Sequence, residues 1–448
     1  MKFRTPTYLF VLAVLASACA SSHKATSIAT SSNIVSDVQE FDVAGVHVLM
    51  RQSVSVPVVT AVLFVKGGTD VAPAAEPIAT EYFGMKVIPA SGSQKIGKAW
   101  YRRKLVRMGS SISGEEGRDY SAISMQCTRE NFDTSWAYFT DCMTQPAIDS
   151  VEYDNFKKSV LLGINSRTSD ADGYSNYILD SSYFAGHPYG KNFSDADVKR
   201  VSPDLALRHY RNVMVKARFL LSVVGNISRE ELEAKIESTI GKLPQGTFTD
   251  PVITPPAQAF KPSAIFPPFA RKLPTDYLLG YYLIPSKGDP DYYPYLRLRN
   301  FFGGFVFNHI RVQRNLAYAP NVDDKDGLTS VGMISVQSPY IDSCVKVIYD
   351  DVDFFQNNSI RESAIRSGVA GWATRNYLKA ETTASQAIQL GQAKLATGDW
   401  HDAFFSYDKL ARVTPDELKH AAQKYLRNFN WVVVGDTTNV SRKLLESR

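Results

Sequence analysis

An α+β fold is predicted, built from two homologous domains of about 200 residues, each a mainly antiparallel sheet packed against helices. Three observations carry it. The chain holds one pattern twice. In each copy, hairpin-like strands come early and helices come later. A proline-rich stretch parts the copies.

The repeat is clearest near the end of each copy. Residues 202–228 contain SPDLALRHYRN and then LLSVVGNIS; residues 414–439 contain TPDELKHAAQKYLRN and then WVVVGDTTN. Both run cap, helix, Tyr, Arg-Asn, apolar strand, Val-Val-Gly and polar turn. Ser202 and Thr414 stand 212 residues apart. A hydroxyl followed by Pro-Asp suits a helix start: the hydroxyl caps, proline fits the first turn, and the acid favours the positive end. The valine runs suit buried strands.

The fronts of the copies agree as well. VTAVLFVKGG (59–68) is a strand ending in glycines, and YLLGYYLIPS (277–286) is its counterpart. In the first copy IGKAWYRRKLVRMGSSIS has apolar residues at helical spacing and a stop at Gly109; in the second, the region ending in Asn315 takes that place. Between the copies, residues 245–269 carry six prolines, which deny helix and central-strand hydrogen bonding. The predicted layout is signal (1–19), tether (20–37), domain one (38–245), extended linker (246–269) and domain two (270–448).

The N-terminus reads as a secretory signal. Lys2 and Arg4 precede an apolar stretch, Tyr8 to Ala16, too short to span a bilayer. The run LASAC resembles a bacterial lipoprotein signal, in which Cys19 becomes the lipidated first residue. Ala16 stands where leucine is commoner, and plain secretion with cleavage nearby is the alternative. The Ser-, Ala- and Thr-rich residues after it read as a tether. The expected location is the periplasmic side of a bacterial cell envelope, with lipid as the sole membrane attachment. The remaining cysteines, Cys127, Cys142 and Cys344, match no disulfide framework and no zinc spacing; they read as buried free thiols, with a Cys127–Cys142 pair as the alternative in an oxidising compartment. A formal charge of +5 without a concentrated basic run gives no nucleic-acid signature.

These landmarks, with FAGHPYG (184–190) and FNHIRVQRNLAYAP (307–320), resemble the insulinase or pitrilysin-like peptidases, to which the mitochondrial processing peptidase and short bacterial relatives belong. The resemblance covers nearly all the chain after residue 38. It implies a zinc site of inverted H-x-x-E-H type, with two histidines on one helical face, a glutamate that activates water, and a further glutamate about 75 residues on. Placed on EPIATEYFGMKVIPASG (76–92), the histidine positions fall on Thr80 and Gly84 and the glutamate on Phe83. The later ligand falls near Leu162 or Gly163. The departure survives any realignment: no two of the seven histidines lie closer than 19 residues. Zinc catalysis needs three placed side chains and a water, so no cofactor is expected in this chain. Glu81, a lone acid on the same helix, is expected on a solvated face. So are Arg102, Arg103, Lys104 and Arg107.

The resemblance also implies that the second domain supplies an arginine and a tyrosine seven residues apart, in a motif close to L-R-x-x-x-G-L-A-Y. IRVQRNLAY matches it at Arg311 and Tyr318, with Asn315 in place of glycine. Asn tolerates the left-handed backbone a glycine would serve. An arginine fork and a phenol suit a substrate carbonyl and the charge that grows on its oxygen. Gly303 and Gly304 are candidates for close backbone approach by a peptide. His187, in Gly-His-Pro-Tyr-Gly, reads as a turn residue that packs. The expected role is the non-catalytic, substrate-binding subunit of a heteromeric zinc metallopeptidase. Its partners are an H-x-x-E-H chain that holds the zinc, and unfolded peptides. The alternative is a catalytically dead structural or peptide-binding scaffold of the same fold.

Overall fold

The valine-rich runs form the centres of two sheets. The computed structural model describes residues 37–71, 75–192, 194–404 and 406–448; the signal, Cys19 and the tether before Asp37 lie outside them. The first half contributes β1 (Val38–Val43), β2 (Val46–Gln52), β3 (Val58–Lys66), β4 (Ser111–Glu115), β5 (Tyr120–Thr128) and β6 (Phe219–Gly225). The second contributes β7 (Ser263–Ile265), β8 (Asp276–Leu283), β9 (Asn321–Lys325), β10 (Val331–Ser338) and β11 (Asn430–Val434). In the first half the longer helices are α1 (Ala79–Ser91), α2 (Lys98–Arg107), α3 (Phe132–Thr144), α4 (Ser150–Ser166), α5 (Ala171–Tyr183), α6 (Pro203–Val213) and α7 (Arg229–Ser238). In the second they are α8 (Tyr292–Phe307), α9 (Ile341–Asn357), α10 (Val369–Lys379), α11 (Thr383–Thr397) and α12 (Pro415–Tyr425).

The two sheets share one topology. Their orders are β1-β2-β6-β3-β5-β4 and β7-β11-β8-β10-β9. β2 runs parallel to β6, and β7 parallel to β11. The other neighbours are antiparallel. Strand for strand, the second sheet repeats the first without a counterpart of β1. The paired signals behave alike. Ser202 accepts the Leu205 N–H ahead of α6, and Thr414 accepts the Glu417 N–H ahead of α12. Glu417 returns a bond to the Thr414 N–H, completing a capping box. Thr414→Ala is expected to cost about 1 kcal/mol, read as a lower melting temperature; unchanged melting would contradict the cap's role.

Val-Val-Gly ends both β6 and β11 for one steric reason. Gly225 and Gly435 hold φ of 150° and 146°. A Cβ would stand 2.3 Å from the Val58 carbonyl oxygen in one and 2.1 Å from Asp276 Oδ1 in the other. The strand end passes too close to its neighbour for any side chain.

Each sheet packs its own helices on one face and borrows a helix for the other. In the first half Met85 and Ile88 of α1 and Tyr210 of α6 join Leu63, Ile123 and Leu221 in one core. On the opposite face Ala387 and Leu390 of α11 pack with Leu49, Val62 and Phe64. Reciprocally, Leu179 and Tyr183 of α5 pack with Leu279, Tyr281 and Val432 of the second sheet. This explains why VTAVLFV is a continuous apolar run: β3 is buried on both faces. α11 lies very close, since a Cβ on Gly391 would fall 2.0 Å from the Phe64 ring. Gly391→Ala is therefore expected to cost about 1–3 kcal/mol through overpacking; a melting curve equal to wild type would count against this docking. The proline-rich segment winds one short turn at Ala257–Phe260, and the second sheet begins inside it, because Ser263–Ile265 pairs with β11 as β7.

Candidate functional site

On α1, the positions that the resemblance assigns to zinc ligands are packing positions. Thr80 and Phe83 are fully buried on α1. The Phe83 ring lies 5.1 Å from that of Tyr153 on α4. A Cβ at Gly84 would sit 3.6 Å from the Ala206 carbonyl oxygen, so α1 backs directly onto α6. Leu162 is an exposed apolar side chain on α4, and a Cβ at Gly163 would meet open space. This donor set does not fit zinc: a hydroxyl, a phenyl ring, a bare backbone and a leucine offer no ligand cage.

Glu81 overturns the expectation of a solvated face. It is 0% exposed. His209 Nε2 donates to it at 2.5 Å, and Ser121 Oγ donates to its other oxygen at 2.5 Å. His209 Nδ1 donates in turn to Glu76 at 2.8 Å. Burial pushes the Glu81 carboxyl up, but the bond and charge of His209, with Ser121, outweigh it, and the pKa falls below the ordinary value. Burial pulls the other way on His209, and its two carboxylate partners raise it. The result is a buried imidazolium between two carboxylates. Arg218 lies beside it, donating to the Lys66 carbonyl. Sequence reading missed the cluster because Glu81 and His209 are 128 residues apart. The available signal was one acid on a helix rich in apolar residues, of which Ala79, Phe83, Met85, Val87 and Ile88 pack inward.

The Arg/Tyr pair lies in the second half. After α8, residues Asn308–Gln313 wind a wider, π-type turn. Leu316 N–H closes it onto the Ile310 carbonyl at 2.9 Å. Buried Ile310 and Ala317 anchor its two flanks. Asn315 holds φ 50°, the left-handed conformation expected of it. Its side chain accepts from Arg311 Nη1 at 2.8 Å. The Arg311 guanidinium sits 4.5 Å over the Tyr318 ring, and Tyr318 is 78% exposed. The turn thus brings together two residues that sequence could only space. Phe307, Val312 and Tyr340 add exposed apolar surface on the adjoining segments.

Gly303 and Gly304 lie inside α8. Among the described residues nothing approaches them closely: a Cβ on Gly303 would make an ordinary contact with Val322 at 3.5 Å, and Gly304 faces open space. Intramolecular packing therefore does not require glycine at either position. Other readings fall where expected. His187 caps a turn, accepting from Tyr189 N–H and bonding the Thr254 carbonyl. Arg102, Arg103 and Arg107 are exposed and Lys104 half-buried on α2, with Arg102 paired to Glu152. Cys127, Cys142 and Cys344 are buried free thiols. Burial pushes Cys127 up to about 11 and Cys142 to about 12, which leaves them protonated and inert.

Residues 200–368 match the family model described as the Peptidase M16 inactive domain. A search of curated proteins gives no significant match. Among solved structures, an M16 inactive domain from Pseudomonas fluorescens aligns with a TM-score of 0.79 at 17% identity, over 89% of this chain and 98% of that one. A protease from Helicobacter pylori aligns at 0.77 and 12% identity, over 89% and 99%. The periplasmic protease PqqL from Escherichia coli aligns at 0.76 and 12% identity, over 89% of this chain but 46% of its own. These likenesses show the fold: two M16-type domains in one chain.

Proposed function

We propose, from a chain that is M16-like in both halves and carries an M16 inactive-type domain over residues 200–368, that it is the non-catalytic, substrate-binding subunit of a zinc metallopeptidase. The zinc sits on a separate H-x-x-E-H chain. This chain donates Arg311 and Tyr318 to it. The observation that carries the reading is the pair itself: a half-buried guanidinium and an exposed phenol set side by side by the Asn315 turn, on a chain whose own α1 is filled with packing residues. Peptide hydrolysis puts negative charge on the carbonyl oxygen, and preorganised donors at that oxygen lower the barrier. An alignment that takes up less than half of PqqL is consistent with a unit that works beside another of similar size.

Unfolded peptide adds as a strand to a sheet edge, which needs no particular sequence. β4 offers such an edge: it pairs with β5 on one side, and no strand among the described residues pairs on the other. Gly303 and Gly304 present a bare helix surface upstream of the Arg/Tyr turn. The chain sits in the bacterial envelope through a lipid on Cys19; intact mass of the membrane-extracted protein tests this, and an unmodified Cys19 would remove the anchor.

The competing scaffold reading draws on one observation: Arg311 already bonds Asn315 and stacks on Tyr318, so the pair is satisfied without a substrate. The deciding experiment is a pull-down for a zinc-bearing homologue, followed by peptidase assays of each chain alone and of the mixture. Activity confined to the mixture supports the subunit. One tightly held zinc on the purified single chain, with hydrolysis, would overturn it.

A further inference from the structure

The helix α2 departs from the chain's otherwise mixed charge. Its residues, KAWYRRKLVR, include Lys98, Arg102, Arg103, Lys104 and Arg107 and no acid. From Tyr82 to Gly114 the sequence holds no Asp or Glu. One face of the helix is committed to the core. Tyr101 and Leu105 are buried with Tyr138 of α3, and the Tyr101 hydroxyl donates to the Pro89 carbonyl at 3.1 Å. Helical geometry turns Trp100, Arg103 and Arg107 to the opposite side, with Val106 and Lys104 on its two flanks.

That outer face leaves both apolar and charged groups without a partner. Trp100 is 49% exposed and Val106 80% exposed. Lys98 and Arg102, nearer the core, both pair with Glu152. Arg103, Lys104 and Arg107 meet no carboxylate among the described residues. Arg103 and Lys104 lie instead over the Trp100 ring, at 5.6 and 5.4 Å. Duplex nucleic acid would engage the cations, through its phosphates, but would leave the valine in water. A bilayer takes all of them. The cations meet anionic headgroups, and the indole and the valine enter the boundary between headgroups and acyl chains.

We infer that the outer face of α2 docks on an anionic phospholipid leaflet. This rests on the envelope location proposed above, which supplies the membrane, and not on acylation of Cys19. The two attachments are compatible in reach. α2 packs on Ile112 of β4, and β4 and β1 are opposite edges of the first sheet, about 24 Å apart at five strand spacings. Residues 20–37 can cover that distance, since a chain of this length extends to about 60 Å.

Vesicle binding by residues 20–448, which hold the whole described fold and lack the acylation site, tests this. The chain is expected to partition at least about tenfold more strongly onto vesicles of phosphatidylglycerol with phosphatidylcholine than onto phosphatidylcholine alone. The difference shrinks as salt rises. Binding shifts tryptophan emission to the blue and shields it from acrylamide, and Trp100→Phe loses most of that shift. Arg103→Gln/Arg107→Gln, at two exposed positions, lowers partitioning at least about fivefold. Arg271→Gln/Lys272→Gln removes the same charge from exposed positions elsewhere and leaves partitioning unchanged. Equal partitioning onto the two vesicle types, equal loss in both double variants, or a shift that survives Trp100→Phe overturns the docking face. So does retention on duplex DNA without partitioning onto the anionic vesicles, which would make the face a general polyanion site. The mass of Cys19 is read separately. Vesicle binding with an unmodified Cys19 keeps the docking face and removes the lipid anchor; a lipidated Cys19 without vesicle binding keeps the anchor and removes the docking face.

Discussion

Arg311→Ala, assayed in a mixture with a zinc-bearing H-x-x-E-H homologue, is expected to lower peptide hydrolysis at least tenfold, with about 10²–10³ as the scale for one lost transition-state donor. The fall should lie in kcat more than in KM, because the donor acts on charge that exists only in the transition state. Tyr318→Phe keeps the ring that the guanidinium stacks on and removes the hydroxyl; it too should lower kcat. Asn315→Ala should lower activity indirectly. It removes the acceptor that holds Arg311 and puts alanine at φ 50°, a conformation costing about 1 kcal/mol or more. Hydrolysis indifferent to both Arg311 and Tyr318 would strip these residues of their role while leaving the fold assignment intact.

The second large effect concerns stability. His209→Ala strands Glu81 as a buried carboxylate with Ser121 as its remaining hydrogen-bond partner. Breaking a buried pair in this way costs about 3–5 kcal/mol. Glu81→Ala should cost a similar amount. Replacing both by apolar residues of similar volume, Glu81→Met with His209→Leu, should recover most of the loss, because neither charge then needs compensation. If the double variant melts no higher than the single ones, packing rather than charge explains the site. The pH dependence has a defined sign. Glu81 has a lowered folded pKa, so its contribution is present above its unfolded value of about 4.3 and lost as pH falls through the folded one. His209 has a raised folded pKa, so its contribution is complete below about 6.5 and lost as pH rises through the folded value. The difference in melting temperature between wild type and the double variant should therefore be most favourable to wild type between about pH 4.5 and 6.5. A difference that is flat with pH would remove the ion pair.

The Asn315 turn and the Glu81 cluster differ in how far sequence could reach them. Arg311, Asn315 and Tyr318 lie within one short segment, so their spacing carried information about one local structure. Glu81 reads alone as a surface acid, because its partners Ser121 and His209 come from β5 and α6. A helix position faces inward or outward only relative to what packs on it, and α1 is covered by α6 on the side where Glu81 points. Gly303 and Gly304 show the opposite limit: a glycine pair suggested close approach, and the fold leaves both without a crowding neighbour among the described residues.

By itself the sequence determined the duplication, the capped helix–strand units at Ser202 and Thr414, the lack of histidine or carboxylate side chains at 80, 83 and 84, and the seven-residue spacing of Arg311 and Tyr318. Each is a matter of residue identity and short-range spacing, which backbone preferences and side-chain chemistry make legible. Only the tertiary structure decided that each sheet is closed by the other half's helix, and that Glu81 is an ion-pair member. Those features join residues tens to hundreds of positions apart. Burial and charge balance there are set by which surfaces meet, and no local pattern records that.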